Sequence, residues 1–251
     1  MNDLLRVEHL AKSFGGVAAV VDVSFTLKEG ELLALIGPNG AGKSTCFNLL
    51  NGQTYPDSGR IFLGADEITS VPPRRIWRLG VGRTFQVTQS YASMSVIENV
   101  QMALLSHHRR LFSLWPRAAD LYVEEAIELL RVVGMAEQAW RPCAILAYGD
   151  LKRVELAVAL ANEPRLLLMD EPTAGMAARE RGALMALTAE IVRERRIGVL
   201  FTEHDMDVVF GHAHRVIVLD HGRVIASGSP AAVRSDPAVR KVYLGSGAAV
   251  A

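Results

Sequence analysis

Apolar positions along the first quarter of the chain recur every second residue. Val21, Val23, Phe25 and Leu27 alternate with Asp22, Ser24 and Thr26. Leu4 to Phe14 and Val17 to Leu27 are therefore expected to be strands with one wet face. The Lys28-Glu29-Gly30-Glu31 turn ends that pattern. Leu32-Leu33-Ala34-Leu35-Ile36 is apolar throughout, as a strand buried on both faces should be. Gly59 to Leu63 predicts another strand, Pro72 to Leu79 a short helix, and Gly82 to Gln86 a strand ending on a polar residue.

From Val96 to Gly134 the period becomes helical. Val123, Ile127 and Leu130 fall on one face with Ala126 and Val133 beside them, while Glu124, Glu125, Glu128 and Arg131 lie elsewhere. Ser106 to Pro116 has no clear period. Strands return at Leu166 to Met169, Gly198 to Phe201 and Val216 to Leu219, the last followed by a turn and Val224-Ile225-Ala226. Apolar strands alternating with helices predict an α/β fold with a mostly parallel sheet. The expected organisation is one domain over 1–251. Its core is about 1–87 and 158–251, with an antiparallel β subdomain and a helical subdomain inserted at about 88–157.

Bulk properties narrow the function. Half of the 251 residues are hydrophobic and the mean hydropathy is +0.19, so some apolar surface is expected against a partner. The 27 basic and 27 acidic residues balance, which gives no electrostatic case for nucleic acid. No apolar run approaches the ~20 residues of a membrane span. Met1-Asn2-Asp3 does not open a signal peptide, and a cytoplasmic location is expected. Cys46 and Cys143 have no metal-like spacing.

Gly37-Pro38-Asn39-Gly40-Ala41-Gly42-Lys43-Ser44-Thr45 fits the phosphate-loop pattern G-x-x-x-x-G-K-[ST]. It stands between the buried strand and a helical run from Cys46 to Gly52. Glycines let backbone N–H groups approach phosphate oxygens, and the helix N-terminus adds positive charge there. Lys43 can reach the β- and γ-phosphates, and Ser44 can ligate Mg²⁺. Asp170-Glu171 ends another buried strand, where ligands of α/β sheets gather. Asp170 would hold Mg²⁺ through its water shell, and Glu171 would orient or deprotonate a water. Phe14 could stack on an adenine ring or simply pack.

Taken together, these motifs make the chain resemble the nucleotide-binding subunit of an ABC transporter over nearly its whole length. The resemblance implies a P-loop NTPase (RecA-like) core. It makes Gly37 to Thr45 the Walker A stretch and Leu166 to Glu171 Walker B with its catalytic glutamate. Gln86 becomes the Q-loop glutamine, sensing Mg²⁺ and the attacking water, and His204 the switch histidine. Phe14 falls where the family keeps its adenine-stacking aromatic. Leu146-Ala147-Tyr148-Gly149-Asp150 takes the signature position, with Ala147 in place of the usual serine and a helix expected to follow from Leu151 to Leu160. Ala177 replaces the usual Asp or Asn of the D-loop. Ala147, Tyr148, Gly149 and Asp150 would meet the ATP held by a second ATPase subunit. The loop Val87 to Met94, including Tyr91, would meet a membrane permease, and a solute-binding protein would act indirectly.

Arg83-Thr84-Phe85-Gln86, Glu203-His204-Asp205-Met206 and Tyr243-Leu244-Gly245 resemble the branch that powers branched-chain amino acid importers, and Ser106 to Pro116 its longer ATPase subunit. Membership implies an ATPase at the cytoplasmic face of a bacterial inner membrane. Other readings are urea or amide import, lipid or lipopolysaccharide export, a soluble ABC ATPase acting on nucleic acid or ribosomes, and a P-loop kinase.

Overall fold

The computed structural model describes residues 3–84, 91–108 and 120–244. Gln86 and the first part of the expected docking loop, Val87 to Ser90, lie outside them. So do Arg109 to Pro116 and the tail from Gly245.

The strands are β1 (Asp3–Phe14), β2 (Val17–Lys28), β3 (Leu32–Ile36), β4 (Ser58–Leu63), β5 (Asp66–Glu67), β6 (Val81–Thr84), β7 (Leu166–Asp170), β8 (Gly198–Thr202), β9 (Arg215–Asp220) and β10 (Arg223–Gly228). The helices are α1 (Lys43–Leu50), α2 (Pro73–Arg78), α3 (Val96–His107), α4 (Val123–Val132), α5 (Tyr148–Leu160), α6 (Ala178–Arg195), α7 (Met206–His212), α8 (Pro230–Ser235) and α9 (Pro237–Leu244).

Two sheets form. The antiparallel one runs β2-β1-β4-β5, and the other runs β10-β9-β3-β8-β7-β6. In the second, β9, β3, β8, β7 and β6 are parallel, and β10 returns antiparallel at the edge. The continuous apolar runs are explained by two cores, one on each face. Leu32, Ala34 and Ile36 of β3 point into one core, with Val199 and Phe201 of β8 and Leu167 and Met169 of β7. Leu33, Leu35, Leu200, Leu166 and Leu168 point into the other, against β1, β2 and α1. A strand in the middle of such a sandwich has no wet face, so period two is present in space and invisible in the hydropathy.

On the first face α3, α4 and α5 pack on one another. Ser95 caps α3: its side chain accepts from the Glu98 amide, and Glu98 reaches back to the Ser95 amide, a reciprocal cap. On α4 the buried residues are Ala126, Leu129 and Leu130, whereas Val123 and Ile127 are half-buried. The apolar stripe is thus rotated toward Leu129 from the expected face, because α3 and α5 meet α4 along that side.

Parallel pairing brings the C-terminal ends of β3, β7, β8 and β9 to one edge. Asp170 pairs with Thr202, and Ile36 with Val218. The phosphate loop follows β3 at that edge, Glu171 follows β7, and Glu203-His204 follow β8.

Candidate nucleotide-hydrolysing site

The loop between β3 and α1 owes its shape to two close approaches. A Cβ on Gly37 would stand 2.2 Å from the Leu219 carbonyl oxygen, and one on Gly42 would stand 2.3 Å from that of Ala19. Gly42 also has φ +103°, in the left-handed region that costs an L residue strain. The first turn of α1 therefore begins at Lys43, three residues before the expected Cys46 start. Lys43 is buried, and its Nζ donates to the carbonyls of Gly37 at 2.6 Å and Pro38 at 3.1 Å. Burial holds its ammonium below the usual lysine range. Glu171 and then Asp170 oppose that shift. Behind it, Cys46 is fully buried and its thiol is pushed up to about 12 by burial; it packs as an apolar residue.

A cleft of about 200 Å³ opens over the loop, lined by Ala19, residues Asn39 to Thr45, Glu171 and His204. Lys43 and Glu171, far apart in sequence, thus meet, as the strand-end argument requires. His204 Nε2 lies 2.8 Å from Oε1 of Glu171. A carboxylate can only accept, so the imidazole donates through Nε2. Glu171 has φ +48°, a left-handed conformation costing a non-glycine residue ~1–3 kcal/mol. Its amide donates to the Thr202 carbonyl at 3.2 Å and to Thr202 Oγ1 at 3.1 Å. These bonds hold the strained residue with its side chain facing the loop.

Asp170 is clamped from two sides. Thr202 Oγ1 donates to its Oδ1 at 2.8 Å, and the largely buried Arg83 guanidinium approaches its Oδ2 at 3.4 Å. Arg83 also donates to Asn48 of α1 and to Gln53. Among the described residues no group of three or more His, Cys, Asp or Glu could hold a metal ion. The available donors are the Ser44 hydroxyl in the cleft and the Asp170 carboxylate. These hard oxygen donors are too few for a full protein cage. They fit Mg²⁺, which keeps several waters and takes phosphate oxygens as ligands.

Several sequence candidates lie apart from this cleft. Ala147 is the N-cap of α5, with no side-chain acceptor, and Tyr148 already belongs to the helix. The signature stretch is therefore the helix N-terminus itself, not a loop before a helix at Leu151. It lines a separate depression with Met176, Arg179 and Glu180, and a Cβ on Gly175 would stand 3.4 Å from the Tyr148 ring. Ala177 caps α6 without a side-chain acceptor, and only the reciprocal bond forms, Ala177 N–H to Glu180 at 3.3 Å. Phe14 sits beside the turn of the β1–β2 hairpin, exposed, with Lys12 Nζ 5.5 Å from its ring centre. It is not among the cleft residues; Ala19, farther along the same hairpin, is. Tyr91 is 57 % exposed, while Gln86 lies outside the described residues.

Arg83, Thr202, Glu203 and Ala19 were not anticipated as site residues. Their one sequence cue is adjacency to Gln86, His204 and the β1–β2 hairpin.

The model of the ABC transporter family matches residues 20–174. That span holds the phosphate loop, the signature position and the acidic pair. The chain belongs to the ABC transporter family. A second model, of the branched-chain amino acid ATP-binding cassette transporter, matches residues 223–249. The high-affinity branched-chain amino acid transport ATP-binding protein LivG of Salmonella typhimurium is 39% identical over 252 residues, covering 96% of this chain and 98% of its own. BraF of Pseudomonas aeruginosa, of the same description, is 37% identical with the same coverage. The lipopolysaccharide export system ATP-binding protein LptB of Acidithiobacillus ferridurans is 36% identical, covering 98% of each chain. Among solved structures, the ADP conformation of an ATP-binding cassette of an ABC transporter superposes with a TM-score of 0.87 at 30% identity, covering 98% of this chain and all of that one. The expected α/β ATPase fold is therefore the observed one. Among the described residues no helix is long and apolar enough to cross a membrane.

Proposed function

We propose that this chain is the ATP-hydrolysing subunit of an importer for branched-chain or related amino acids, working at the cytoplasmic face of the membrane. The observation that carries the catalytic part is the meeting of Lys43, Glu171 and His204 in one cleft. The loop amides and Lys43 bind the triphosphate as anion donors. Glu171 accepts a proton from a water as its oxygen attacks the γ-phosphorus. The bond from that phosphorus to the bridging oxygen breaks, and the electron pair leaves with ADP. His204 turns the Nε2–H that it gives to Glu171 in this structure toward a γ-phosphoryl oxygen as charge spreads over it. Ser44 and Asp170, with Gln86, would hold Mg²⁺, which would add neutralisation of phosphate charge.

In this reading two ATPase subunits close around the nucleotides. The α5 N-terminus, from Ala147 to Asp150, faces the γ-phosphate bound by the partner. Backbone N–H groups there serve where the usual serine hydroxyl is absent. Hydrolysis parts the subunits, and the segment after Gln86, including Tyr91, passes the motion to a permease.

The amino acid assignment rests on the 223–249 match and on the named relatives. A second reading, export of lipid or lipopolysaccharide, rests on the nearly full-length match to LptB. Cells whose branched-chain importer lacks its own ATPase subunit separate the two. This chain is expected to restore uptake of labelled leucine, and Lys43→Ala is expected not to. Absent uptake, together with rescue of a strain lacking its lipopolysaccharide-export ATPase, would select the second reading.

A further inference from the structure

Glu203 is 4 % exposed and lies at the end of β8 immediately before His204. Its Oε1 accepts from Thr173 twice, from the backbone amide at 2.8 Å and from Oγ1 at 2.7 Å. Its Oε2 accepts from the His204 amide at 3.3 Å. Thr173 is itself buried and stands two residues after Glu171. The link is therefore a second tie between the two strand ends that carry the Glu171–His204 pair. The first tie, Thr202 to Asp170 and to the Glu171 amide, acts on the sheet side. Without the second, the Glu171-Pro172-Thr173 turn would be anchored on that side alone. The left-handed backbone of Glu171 makes this anchor matter, because a strained residue persists only where its surroundings over-determine it.

The same turn leads directly into Gly175, against which Tyr148 of the signature helix packs. Glu203 thus sits where the γ-phosphate end of the cleft meets the connection to α5 and α6. A buried carboxylate is expensive unless its oxygens are hydrogen-bonded, and here three donors converge on it from residues that flank the reacting pair. Two of those donors belong to Thr173 and the third is the amide of His204 itself. Ordinary packing at this position would be met more cheaply by an apolar side chain.

We propose that Glu203 is a positioning residue for hydrolysis. It ties Thr173 to the residue before His204 and so keeps the Glu171–His204 pair in register. This rests on the reading above that the pair acts on the γ-phosphate.

The experiment uses purified full-length protein and measures kcat and KM for ATP in wild type, Glu203→Ala, Glu203→Gln, Thr173→Val and His204→Ala, with Glu203→Ala and Thr173→Val also combined with His204→Ala. Glu203→Ala should lower kcat about 10-fold or more, the scale of a sub-ångström misplacement, with KM within about twofold because the phosphate loop is untouched. Glu203→Gln keeps an oxygen for Thr173 and should recover most of that rate. Thr173→Val keeps the volume, loses the hydroxyl donor and should shift kcat the same way. In the His204→Ala background both changes should cost clearly less than in wild type, since part of their effect acts through the pair. If Glu203→Ala does not fold, Thr173→Val in the two backgrounds decides.

Full additivity with His204→Ala, an unchanged kcat, or a parallel rise in KM would overturn the proposal and leave Glu203 a structural carboxylate. A His204→Ala protein with wild-type turnover would instead overturn the reading on which the proposal depends, and the proposal with it.

Discussion

His204 donates through Nε2 to Oε1 of Glu171 across 2.8 Å, joining the ends of two parallel strands at the mouth of the phosphate loop. The imidazole side chain is half exposed on the cleft side, whereas the carboxylate is mostly covered. In the proposed mechanism a group in that position reaches the transferring phosphate without closing the nucleotide's way in.

Replacing His204 by Ala is therefore expected to remove a charge-stabilising donor and leave the binding loop intact. Turnover should fall ~10²-fold or more, the scale of one oxyanion donor. ATP affinity, read by titration of a fluorescent analogue, should change less than about threefold. Equal losses in affinity and turnover would mean that His204 serves binding.

Lys43 supplies the second prediction. Its ammonium is buried beside Glu171 and Asp170 and is held below the ordinary lysine range by burial. Lys43→Ala should weaken ATP at least ~10-fold, since a charge-assisted hydrogen bond is worth ~1.5–3 kcal/mol. In the wild type, affinity should decline as pH rises through the lowered pKa, because the lost charge faced phosphate. Isothermal titration from neutral to alkaline pH checks both, and a flat profile would count against the contact.

Gly42 is a stringent position. A methyl group there would meet the Ala19 carbonyl oxygen at 2.3 Å in a backbone of φ +103°. Gly42→Ala should lower the melting temperature and abolish nucleotide binding together, because the hairpin and the loop cannot both keep their places. The expected stability loss is ~1–3 kcal/mol, the range for a residue forced into such a conformation. Chemical denaturation reads it directly.

Acid should destabilise the fold in two stages. Burial holds His212 below the ordinary histidine range. As pH falls through that range the unfolded chain takes up the proton first, and stability drops. Asp57 is held low by its hydrogen bond from Lys12 and then by the Ser13 amide. Its contribution is present above the unfolded carboxylate pKa and is lost as pH falls through the folded one. Melting temperature against pH should show both stages. Asp57→Asn should flatten only the more acidic one.

Much of this was legible in the sequence. The all-apolar run of β3 and the acidic pair after Leu166 to Met169 each named a strand and the chemistry at its end. One rule about where ligands collect in parallel sheets was then enough to bring Lys43 and Glu171 together, and the family resemblance added His204. What the sequence withheld was register. Thr202 clamps Asp170 because those two residues pair between β7 and β8. Glu203 reaches Thr173 for the same reason, and no periodicity encodes that alignment. The starts of α1 and α5 were also read late. Gly42 and Ala147 carry no capping side chain to mark them, so the helices begin inside the motifs. The stripe of α4 is shifted toward Leu129 from the expected line, because a helix touching two neighbours buries the side between them.

In the proposed mechanism Glu171 is the group that takes the proton from water. Its most direct test is Glu171→Gln, an uncharged side chain of the same shape, loaded with ATP labelled at the γ-phosphate. The mutant should bind ATP as tightly as wild type and release labelled phosphate at least ~10²-fold more slowly, the scale of one general base. Phosphate released at the wild-type rate would contradict the mechanism at its centre.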